Sequence, residues 1–380
     1  MKLRISGFLA IATFVLLGAA QSLAQNAYIT NASSNNVSVI DTATNAVTAT
    51  IPVGVEPIGV AVSPNGSKVY VANVASHTVS VIDTATDAVT ATIRVGNNPF
   101  GVAVTPDGSS VYVANQNSGT VSVIDTATNA VIATVRVGVE PNGVAVSPDG
   151  GRVYIANGAS GTVSVIATAT NTVIATIPVG VGAEPIGVAV SPDGSKAYVV
   201  NSGTFTVSVI DTATNTVTAT IPVGNTSSFG VAVSPDGSRI YVTTHTVNLG
   251  VVSVIETATN TVIATIPVGN NLDGVAVTPD GSRVYIANQS SNNVSVIDTT
   301  TNTVTATVPV GSDPFAFGVF IQQPAKPTPR FAGTPGKANC YGKSVSALVR
   351  QYQGLHAAAT ALGFSSVKAL QNAIMAFCGE

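Results

Sequence analysis

Short apolar runs separated by turn residues fill the chain from about residue 26 to residue 321. The runs are rich in Val, Ile and Thr and are bounded by Gly, Pro, Asn, Asp or Ser, which is the pattern of β-strands. Four runs recur in a fixed order, and we term them A, B, C and D. In one copy they occupy residues 59–62, 69–73, 79–83 and 89–96. The pattern therefore predicts an all-β domain built from four-stranded antiparallel units.

The units repeat seven times. A tyrosine followed by Val or Ile marks run B at intervals of forty-two to forty-four residues, at Tyr28, Tyr70, Tyr112, Tyr154, Tyr198, Tyr241 and Tyr285. Four strands in a repeat of this length are typical of a propeller blade. The first copy begins at run B, and the last ends at residues 317–321, which resemble run A. We therefore predict a seven-bladed β-propeller in which the N- and C-terminal strands share one blade.

Run D is predicted to be the outermost strand of each blade. Proline cannot donate a hydrogen bond to a neighbouring strand and is therefore confined to sheet edges. Five copies of run D contain it, at Pro52, Pro178, Pro222, Pro267 and Pro309. Arg94 and Arg136 stand at the same position in two other copies, where a charge also discourages edge-to-edge pairing. Run A is then the innermost strand.

The B runs resemble the signature of the YVTN-family β-propellers, which is named for Tyr-Val-Thr-Asn. The motif is Tyr-Ile-Thr-Asn at 28–31 and Tyr-Val-Ala-Asn at 70–73, whereas the sixth copy at 241–244, Tyr-Val-Thr-Thr, lacks the asparagine. The resemblance covers residues 26–322 and implies a secreted or cell-surface propeller. The same architecture hosts quinone- and haem-dependent enzymes and lactonases, so the fold alone does not define the chemistry.

Polar residues that recur in the repeat are predicted to be structural. An aspartate ends run C in five copies and can accept hydrogen bonds from the following turn: Asp41, Asp83, Asp125, Asp211 and Asp298. Calcium binding is the alternative, but Ala167 replaces the aspartate in the fourth copy. The asparagine at the end of run B is likewise interpreted as a turn residue.

A functional site is predicted where the repeat varies. The D–A connections vary most, lie on the same face as the B–C connections, and lead into the innermost strands around the channel. They contain no Lys or Arg. The candidate ligand-binding residues are Glu56, Phe100, Glu140, Asn142, Glu184, Phe229, Asp273, Asp313 and Phe317. An apolar mouth with acidic and amide groups suits a small ligand, a sugar or a cationic peptide. The alternative is that these side chains only plug the channel.

Signals for catalysis are weak, and we predict no catalytic residue, metal site or cofactor. The chain contains 3 histidines, His77, His245 and His356, and they form no metal-binding motif with Cys. No serine elbow or phosphate-binding glycine loop is present. Residues 25–323 hold seven Lys and Arg against seventeen Asp and Glu, which disfavours nucleic acid as a partner.

The N-terminus has the pattern of a secretory signal peptide. Lys2 and Arg4 precede an apolar stretch, and small residues flank a predicted cleavage site after Ala24. An uncleaved membrane anchor is the alternative. Residues 1–24 thus predict export to the periplasm, the cell surface or the medium, with no transmembrane segment in the mature chain.

The C-terminus is predicted to be a separate small module. A Pro-rich linker at residues 323–339 precedes a helical hairpin at 340–380, with helices over 344–362 and from Ser365 or Ser366 to Phe377. An exported protein with an even number of cysteines favours a Cys340–Cys378 disulfide, which would connect the ends of the hairpin; two free thiols are the alternative. The module is basic, so it could dock on the acidic propeller, a partner or an anionic envelope surface.

Taken together, these patterns predict an exported propeller scaffold for binding a protein, peptide or carbohydrate at the channel mouth. Two alternatives remain at this stage. One is a lactonase-like hydrolase that uses acidic mouth residues with a divalent cation, and the other is a purely structural cell-envelope protein.

Overall fold

The computed structural model describes residues 25–245 and 249–323, a helix at 367–378, and positions 340, 341, 344–346, 348 and 355. The predicted signal peptide and the linker from residue 324 onward lie outside the described residues. His356 and most of the first predicted helix lie outside them as well.

The described strands form seven sheets in chain order, which we term blades 1 to 7. Blades 1 to 3 comprise β1 (Asn26–Asn31), β2 (Asn36–Asp41), β3 (Ala46–Pro52); β4 (Pro57–Val62), β5 (Lys68–Asn73), β6 (Thr78–Asp83), β7 (Ala88–Arg94); and β8 (Pro99–Val104), β9 (Ser110–Asn115), β10 (Thr120–Asp125), β11 (Ala130–Arg136). Blades 4 and 5 comprise β12 (Pro141–Val146), β13 (Arg152–Asn157), β14 (Thr162–Ala167), β15 (Thr172–Pro178); and β16 (Pro185–Val190), β17 (Lys196–Asn201), β18 (Thr206–Asp211), β19 (Thr216–Pro222). Blades 6 and 7 comprise β20 (Ser228–Val233), β21 (Arg239–Thr244), β22 (Val251–Glu256), β23 (Thr261–Pro267); and β24 (Leu272–Val277), β25 (Arg283–Asn288), β26 (Asn293–Asp298), β27 (Thr303–Pro309).

Each blade runs from an inner A strand to an outer D strand through antiparallel pairs. In blade 2, β4 pairs with β5, β5 with β6, and β6 with β7. The β5 strand is buried almost throughout, whereas β7 is exposed at most positions. The predicted strand order, with D at the edge, is therefore confirmed. Apolar clusters fill the spaces between neighbouring blades, for example Tyr70 and Val81 with Val102 and Val113.

The ring closes as predicted, with the C-terminal end of the propeller supplying the fourth element of blade 1. The Tyr28 amide donates to the Phe320 carbonyl (2.9 Å), and the Phe315 amide donates to the Thr30 carbonyl (2.9 Å). The segment forms isolated bridges rather than a continuous strand. It is also held from the other side, because the Val60 amide of β4 donates to the Phe317 carbonyl (3.0 Å).

Glycines in the inner strands set how closely the blades approach the axis. A Cβ atom on Gly59 would lie 1.9 Å from the Phe100 carbonyl oxygen, and one on Gly143 would lie 2.3 Å from that of Ile186. Both distances are far below van der Waals contact, and the opposing atoms belong to backbone. Only glycine therefore fits where each inner strand meets the next.

The repeated asparagine is a strand residue, so its interpretation as a turn residue was wrong. Asn157 is fully buried at the end of β13, where its Nδ2 donates to Ser164 Oγ (3.0 Å) and Thr162 Oγ1 (3.2 Å). Its Oδ1 accepts from the Gly138 amide of the preceding blade (3.2 Å). Asparagine favours turns when it is exposed, but here it connects two strands and two blades.

Side chains at the A–B and C–D turns connect successive blades on the opposite face. Tyr112 Oη donates to Asn171 Oδ1 of the next blade (2.7 Å), and Arg239 Nη1 donates to the Thr299 carbonyl (2.7 Å). The aspartates after run C accept from their own turns, as predicted; Asp41 Oδ1 accepts from the Thr44 amide (2.8 Å).

The C-terminal module contains a helix, α1 (Val367–Cys378), and a disulfide between Cys340 and Cys378. The disulfide confirms the predicted pairing, although both cysteines lie within helical backbone rather than outside the helices. Leu348, Leu370 and Ile374 pack beside it. Among the described residues, no helix has the length and apolar character needed to cross a bilayer.

Candidate binding face

The B–C and D–A connections lie on one face of the ring, which we term the upper face, and they are hydrogen-bonded to each other. The Glu56 amide donates to Asn35 Oδ1 (2.9 Å), and the Glu56 carbonyl accepts from the Val74 amide (2.9 Å). His77 Nδ1 takes the place of the asparagine oxygen in the next blade and accepts from the Asn98 amide (3.1 Å). The His77 side chain therefore stabilises the D–A connection that contains Asn98.

Three glutamates on the upper face have left-handed backbone geometry. The φ angles are 57° at Glu56, 54° at Glu140 and 47° at Glu184, and all three side chains are exposed. Asp313 has a φ angle of 54° and accepts a hydrogen bond from Ser33 Oγ. Left-handed geometry is uncommon outside glycine, and asparagine and aspartate adopt it more readily than glutamate does.

Apolar side chains from different blades meet at the upper end of the channel. Phe100 and Phe317 pack edge to face with ring centroids 5.2 Å apart, and Ile58, Val74 and Ile186 belong to the same cluster. Edge-to-face pairing is a favoured aromatic geometry. The predicted residues Phe100 and Phe317 are thus brought together, and the cluster fills the centre of the face.

Asn142 occupies the position in blade 4 that Phe100 occupies in blade 3, immediately before the inner-strand glycine, and it is nearly buried. Its Oδ1 accepts from Gln116 Nε2 (2.9 Å). The amide pair adds hydrogen-bonding groups beside the apolar cluster, and Gln116 was not among the predicted residues.

The last two candidates, Phe229 and Asp273, lie between blades 6 and 7. Phe229 stacks on His245 with ring centroids 4.5 Å apart, and His245 Nε2 bonds to the Leu272 carbonyl. Thr243 Oγ1 accepts from the Gly230 amide (2.7 Å) and donates to the Asp273 carbonyl (2.8 Å). The two inner strands are therefore held together beside the aromatic pair.

Asp273 is a buried carboxylic acid. It is 3% exposed, and its Oδ2 has no hydrogen-bond partner among the residues that the structure describes. Burial raises the pKa of Asp273 well above its usual range, and the nearby charge of Asp313 raises it further. Burial also lowers the pKa of His245, against the opposing effect of its bond to Leu272. Both groups are thus favoured in their neutral forms.

The divalent cation of the lactonase alternative needs several oxygen or nitrogen ligands. Within residues 25–245, 249–323 and the described part of the C-terminal module, no three His, Cys, Asp or Glu side chains are grouped closely enough to hold a metal ion. The residues present therefore do not fit such a cation, and the acidic candidates are distributed around the ring instead.

A cavity occupies the axis, where the seven-bladed arrangement predicts a central channel. It has a volume of about 560 Å³ and extends from Phe317 at the upper end to the prolines of the A–B turns, such as Pro148, and Gln323. Glycine, valine and alanine of the A strands form its wall. The signal in the sequence is that no side chain larger than valine occurs in the Gly-Val-Ala-Val runs.

A second cavity, of about 410 Å³, lies between blades 5 and 6 beside Asp193, Lys196 and Asp236. Hydrogen bonds from Ser191 and Ser234 hold the pKa values of Asp193 and Asp236 at about 2. These carboxylates stabilise their own turns, so this cavity is a product of turn geometry.

The fold and the upper face together define a seven-bladed β-propeller with an acidic loop face around an apolar centre. Residues 61–152 match the family of YNCE-like β-propellers, and residues 175–310 match the family described as lactonase, 7-bladed β-propeller. The chain matches no curated protein sequence.

Solved structures with the same fold include hydrazine synthase from Kuenenia stuttgartiensis, which is 27% identical with a TM-score of 0.64 over 70% of this chain and 89% of that one. A functionally unknown protein from Desulfotomaculum acetoxidans is 19% identical (TM-score 0.66; 77% and 99% covered). A protein from Bacteroides fragilis, provisionally assigned as a 6-phosphogluconolactonase, is 16% identical (TM-score 0.66; 78% and 98% covered). The two at lower identity establish the fold alone.

Proposed function

We propose that the protein is an exported, non-enzymatic binding scaffold of the YVTN type, and that its upper face binds a cationic, partly apolar segment of a partner. The observation that carries this proposal is the set of three exposed glutamates at left-handed positions around the Phe100–Phe317 cluster. Left-handed geometry costs a glutamate about 1 kcal/mol. The loop conformation therefore does not explain why glutamate stands at these three positions.

Charge supports the choice of a cationic partner. The upper loops contain no Lys or Arg, and the nearest basic residues in the chain, Arg94 and Arg136, end outer strands. The basic residues of the propeller lie at the other face or on the outer strands. A segment with lysines and an apolar side chain would match both the acidic rim and the apolar centre.

Export is part of the same proposal. The N-terminal sequence supports it through Lys2, Arg4 and the small residues before Gln25. The Cys340–Cys378 disulfide is consistent with an oxidising compartment. The mature N-terminus of the secreted protein, read by mass spectrometry, tests this part directly; a chain that keeps residues 1–24 contradicts it.

The binding test uses fluorescent peptides of alternating lysine and leucine, with glutamate–leucine peptides as the charge control. The triple variant Glu56→Gln, Glu140→Gln, Glu184→Gln is expected to bind the basic peptide about tenfold more weakly, since three exposed ion pairs contribute about 0.5 kcal/mol each. Glu256→Gln removes one negative charge from a C–D turn on the other face and is expected to leave peptide affinity unchanged. Equal affinity of the triple variant and the wild type would refute the proposal.

Lactone hydrolysis is the second candidate, and the match of residues 175–310 to the lactonase family favours it. A phosphorylated lactone is a poor fit to a face without Lys or Arg, so neutral lactones are the substrates to test. Hydrolysis of γ- and δ-lactones in a pH-stat, with activity lost in Glu140→Gln, would favour this candidate over the scaffold.

A further inference from the structure

The inner strand of each blade places one side chain at the upper end of the channel, immediately before the glycine of run A. Six of these residues are apolar or amide side chains. The seventh, Asp273 of blade 7, is the one carboxylic acid in the set. Two neighbouring positions of blade 6 also depart from the repeat, because Thr244 replaces the asparagine of the other copies and His245 follows it where no other copy has a histidine.

Asp273 lacks the partners that a buried carboxyl group normally has. It is almost fully buried, and its Oδ2 makes no hydrogen bond with any described residue. Buried polar atoms in folded proteins are nearly always paired, so an unpaired oxygen indicates a missing donor. The cost of leaving it unpaired is about 1–3 kcal/mol.

The propeller itself has no cation to supply. Of its seven Lys and Arg residues, five begin B strands at the opposite face, and Arg94 and Arg136 end D strands at the outside. The polar groups nearby that the structure describes are engaged elsewhere: Thr243 Oγ1 bonds to backbone, and His245 Nε2 bonds to the Leu272 carbonyl. The missing donor is therefore not among the described residues of the propeller.

The surroundings match one class of donor. The stacked rings of Phe229 and His245 lie beside the strand that carries Asp273, and Asp313 is close enough to interact with it electrostatically. Carboxylates and aromatic faces together are the groups that bind an ammonium ion. A divalent metal ion would need more oxygen ligands than the described residues bring together here.

We propose that Asp273 binds the protonated primary amine of a ligand that enters through the upper face. This inference rests on the proposed function, because it assigns the chemical group that the binding face accepts between blades 6 and 7. The bound ammonium donates to Oδ2 of Asp273, the rings of Phe229 and His245 bound the site, and the charge of Asp313 attracts the cation.

Binding is coupled to loss of a proton. The neutral carboxyl of Asp273 must ionise to hold the ammonium, so its proton passes to the buffer. The other titratable groups nearby are Asp313 and His245, and neither needs to change its charge. Titration calorimetry with n-butylamine in two buffers of different ionisation enthalpy measures this release, with n-butanol as the uncharged control.

The expected result is that butylamine binds at pH 7 with a measurable release of protons, and that butanol does not bind. Asp273→Asn is expected to weaken butylamine binding at least tenfold and to abolish the release. The variant Glu256→Gln, at a C–D turn on the other face, is expected to bind butylamine as the wild type does. An unchanged affinity in Asp273→Asn, or no butylamine binding to the wild type, would overturn the inference.

A measurement on the wild-type chain covers the case in which Asp273→Asn does not fold. With ¹³C-labelled aspartate, butylamine is expected to shift the carboxyl resonance that titrates highest and to lower its midpoint; no shift would also overturn the inference. The two proposals can fail separately. Peptide binding that depends on the rim glutamates while butylamine ignores Asp273 defeats only this inference, and the reverse result defeats only the proposed function.

Discussion

The phenol oxygen of Tyr285 donates a 2.7 Å hydrogen bond to Oδ1 of Asn45, a residue 240 positions earlier in the chain. Tyr112 makes the same bond to Asn171 between two consecutive blades. The junction between blades 7 and 1 therefore repeats the contact found inside the ring, although it joins the two ends of the propeller. Ring closure thus uses side chains of the repeat as well as the backbone bonds of residues 313–322.

Truncation at this junction should show that the chain needs the closing segment after Ser312 in order to fold. A chain ending at Gln323 keeps the bonds from Tyr28 to Phe320 and from Phe315 to Thr30, so we expect it to fold as a monomer with β-rich circular dichroism. A chain ending at Ser312 loses them and exposes the edge of β1, so we expect aggregation or a strongly lowered melting temperature. Equal stability of the two chains would contradict the closure.

The inner-strand glycines should not tolerate even one added methyl group. Gly143→Ala places a Cβ atom 2.3 Å from the Ile186 carbonyl oxygen, which belongs to backbone and cannot rotate away. We expect a loss of about 3 kcal/mol in the free energy of unfolding, measured by guanidinium titration. Gly151→Ala in the same blade is the control, because its nearest atom is 3.5 Å away, and a change within about 0.5 kcal/mol is expected.

The buried asparagine should contribute more than its counterpart in blade 6. Asn157→Ala removes bonds to Ser164, Thr162 and Gly138, and we expect a destabilisation of about 3 kcal/mol at roughly 1 kcal/mol per bond. Thr244 occupies the same position in blade 6 and bonds to Ser228 Oγ. Thr244→Ala should therefore cost about 1 kcal/mol. Similar unfolding midpoints for the two variants would argue against the inter-blade role.

Asp273 should make the stability of the fold depend on pH. Its raised pKa means that the favourable neutral state is complete below the unfolded-state pKa of about 3.9 and is lost as the pH rises toward the folded-state pKa. Asp273→Asn cannot ionise, so we expect it to exceed the wild type by about 1–3 kcal/mol at pH 7. Near pH 3 the two proteins should unfold at similar denaturant concentrations. A difference that does not change with pH would exclude this cause.

The disulfide should stabilise the C-terminal module alone. Closing a loop over a sequence separation of 38 residues limits the unfolded chain and contributes about 4 kcal/mol. We therefore expect Cys340→Ser to melt helix α1 without shifting the unfolding transition of the propeller. Calorimetry separates the two transitions, and the intact mass before and after reduction reports the bond. A propeller transition that moves with Cys340→Ser would show coupling between the two parts.

Much of the fold could be predicted because the same signals occur in every copy. Tyr70 and its six equivalents fixed the blade count, and the prolines of run D indicated the outer edge. Asn73 was misinterpreted because turn preference is a local property, whereas its Ser80 partner lies on the next strand. The joint presence of Asn and Ser in six copies was the available signal.

The candidate site could be predicted only in part. The loops and their acidic residues were identifiable because they break the repeat. The contact of Phe100 with Phe317, and the stacking of Phe229 on His245, join residues from different segments of the chain, and no periodicity encodes such distances. The burial of Asp273 could not be predicted either, since the glutamates of the D–A loops, such as Glu56, are exposed.

Each inner-strand glycine contacts a backbone carbonyl of the following blade. The diameter of the central channel is therefore set by the main chain. Duplicating one repeat to give an eight-membered circle would pull Gly59 and its equivalents away from those carbonyls and leave gaps along the axis. Gain or loss of one repeat would therefore disturb the glycine contacts of every other blade. Exchange of an upper loop disturbs only its own neighbours, which leaves specificity free to diverge while the circumference stays constant.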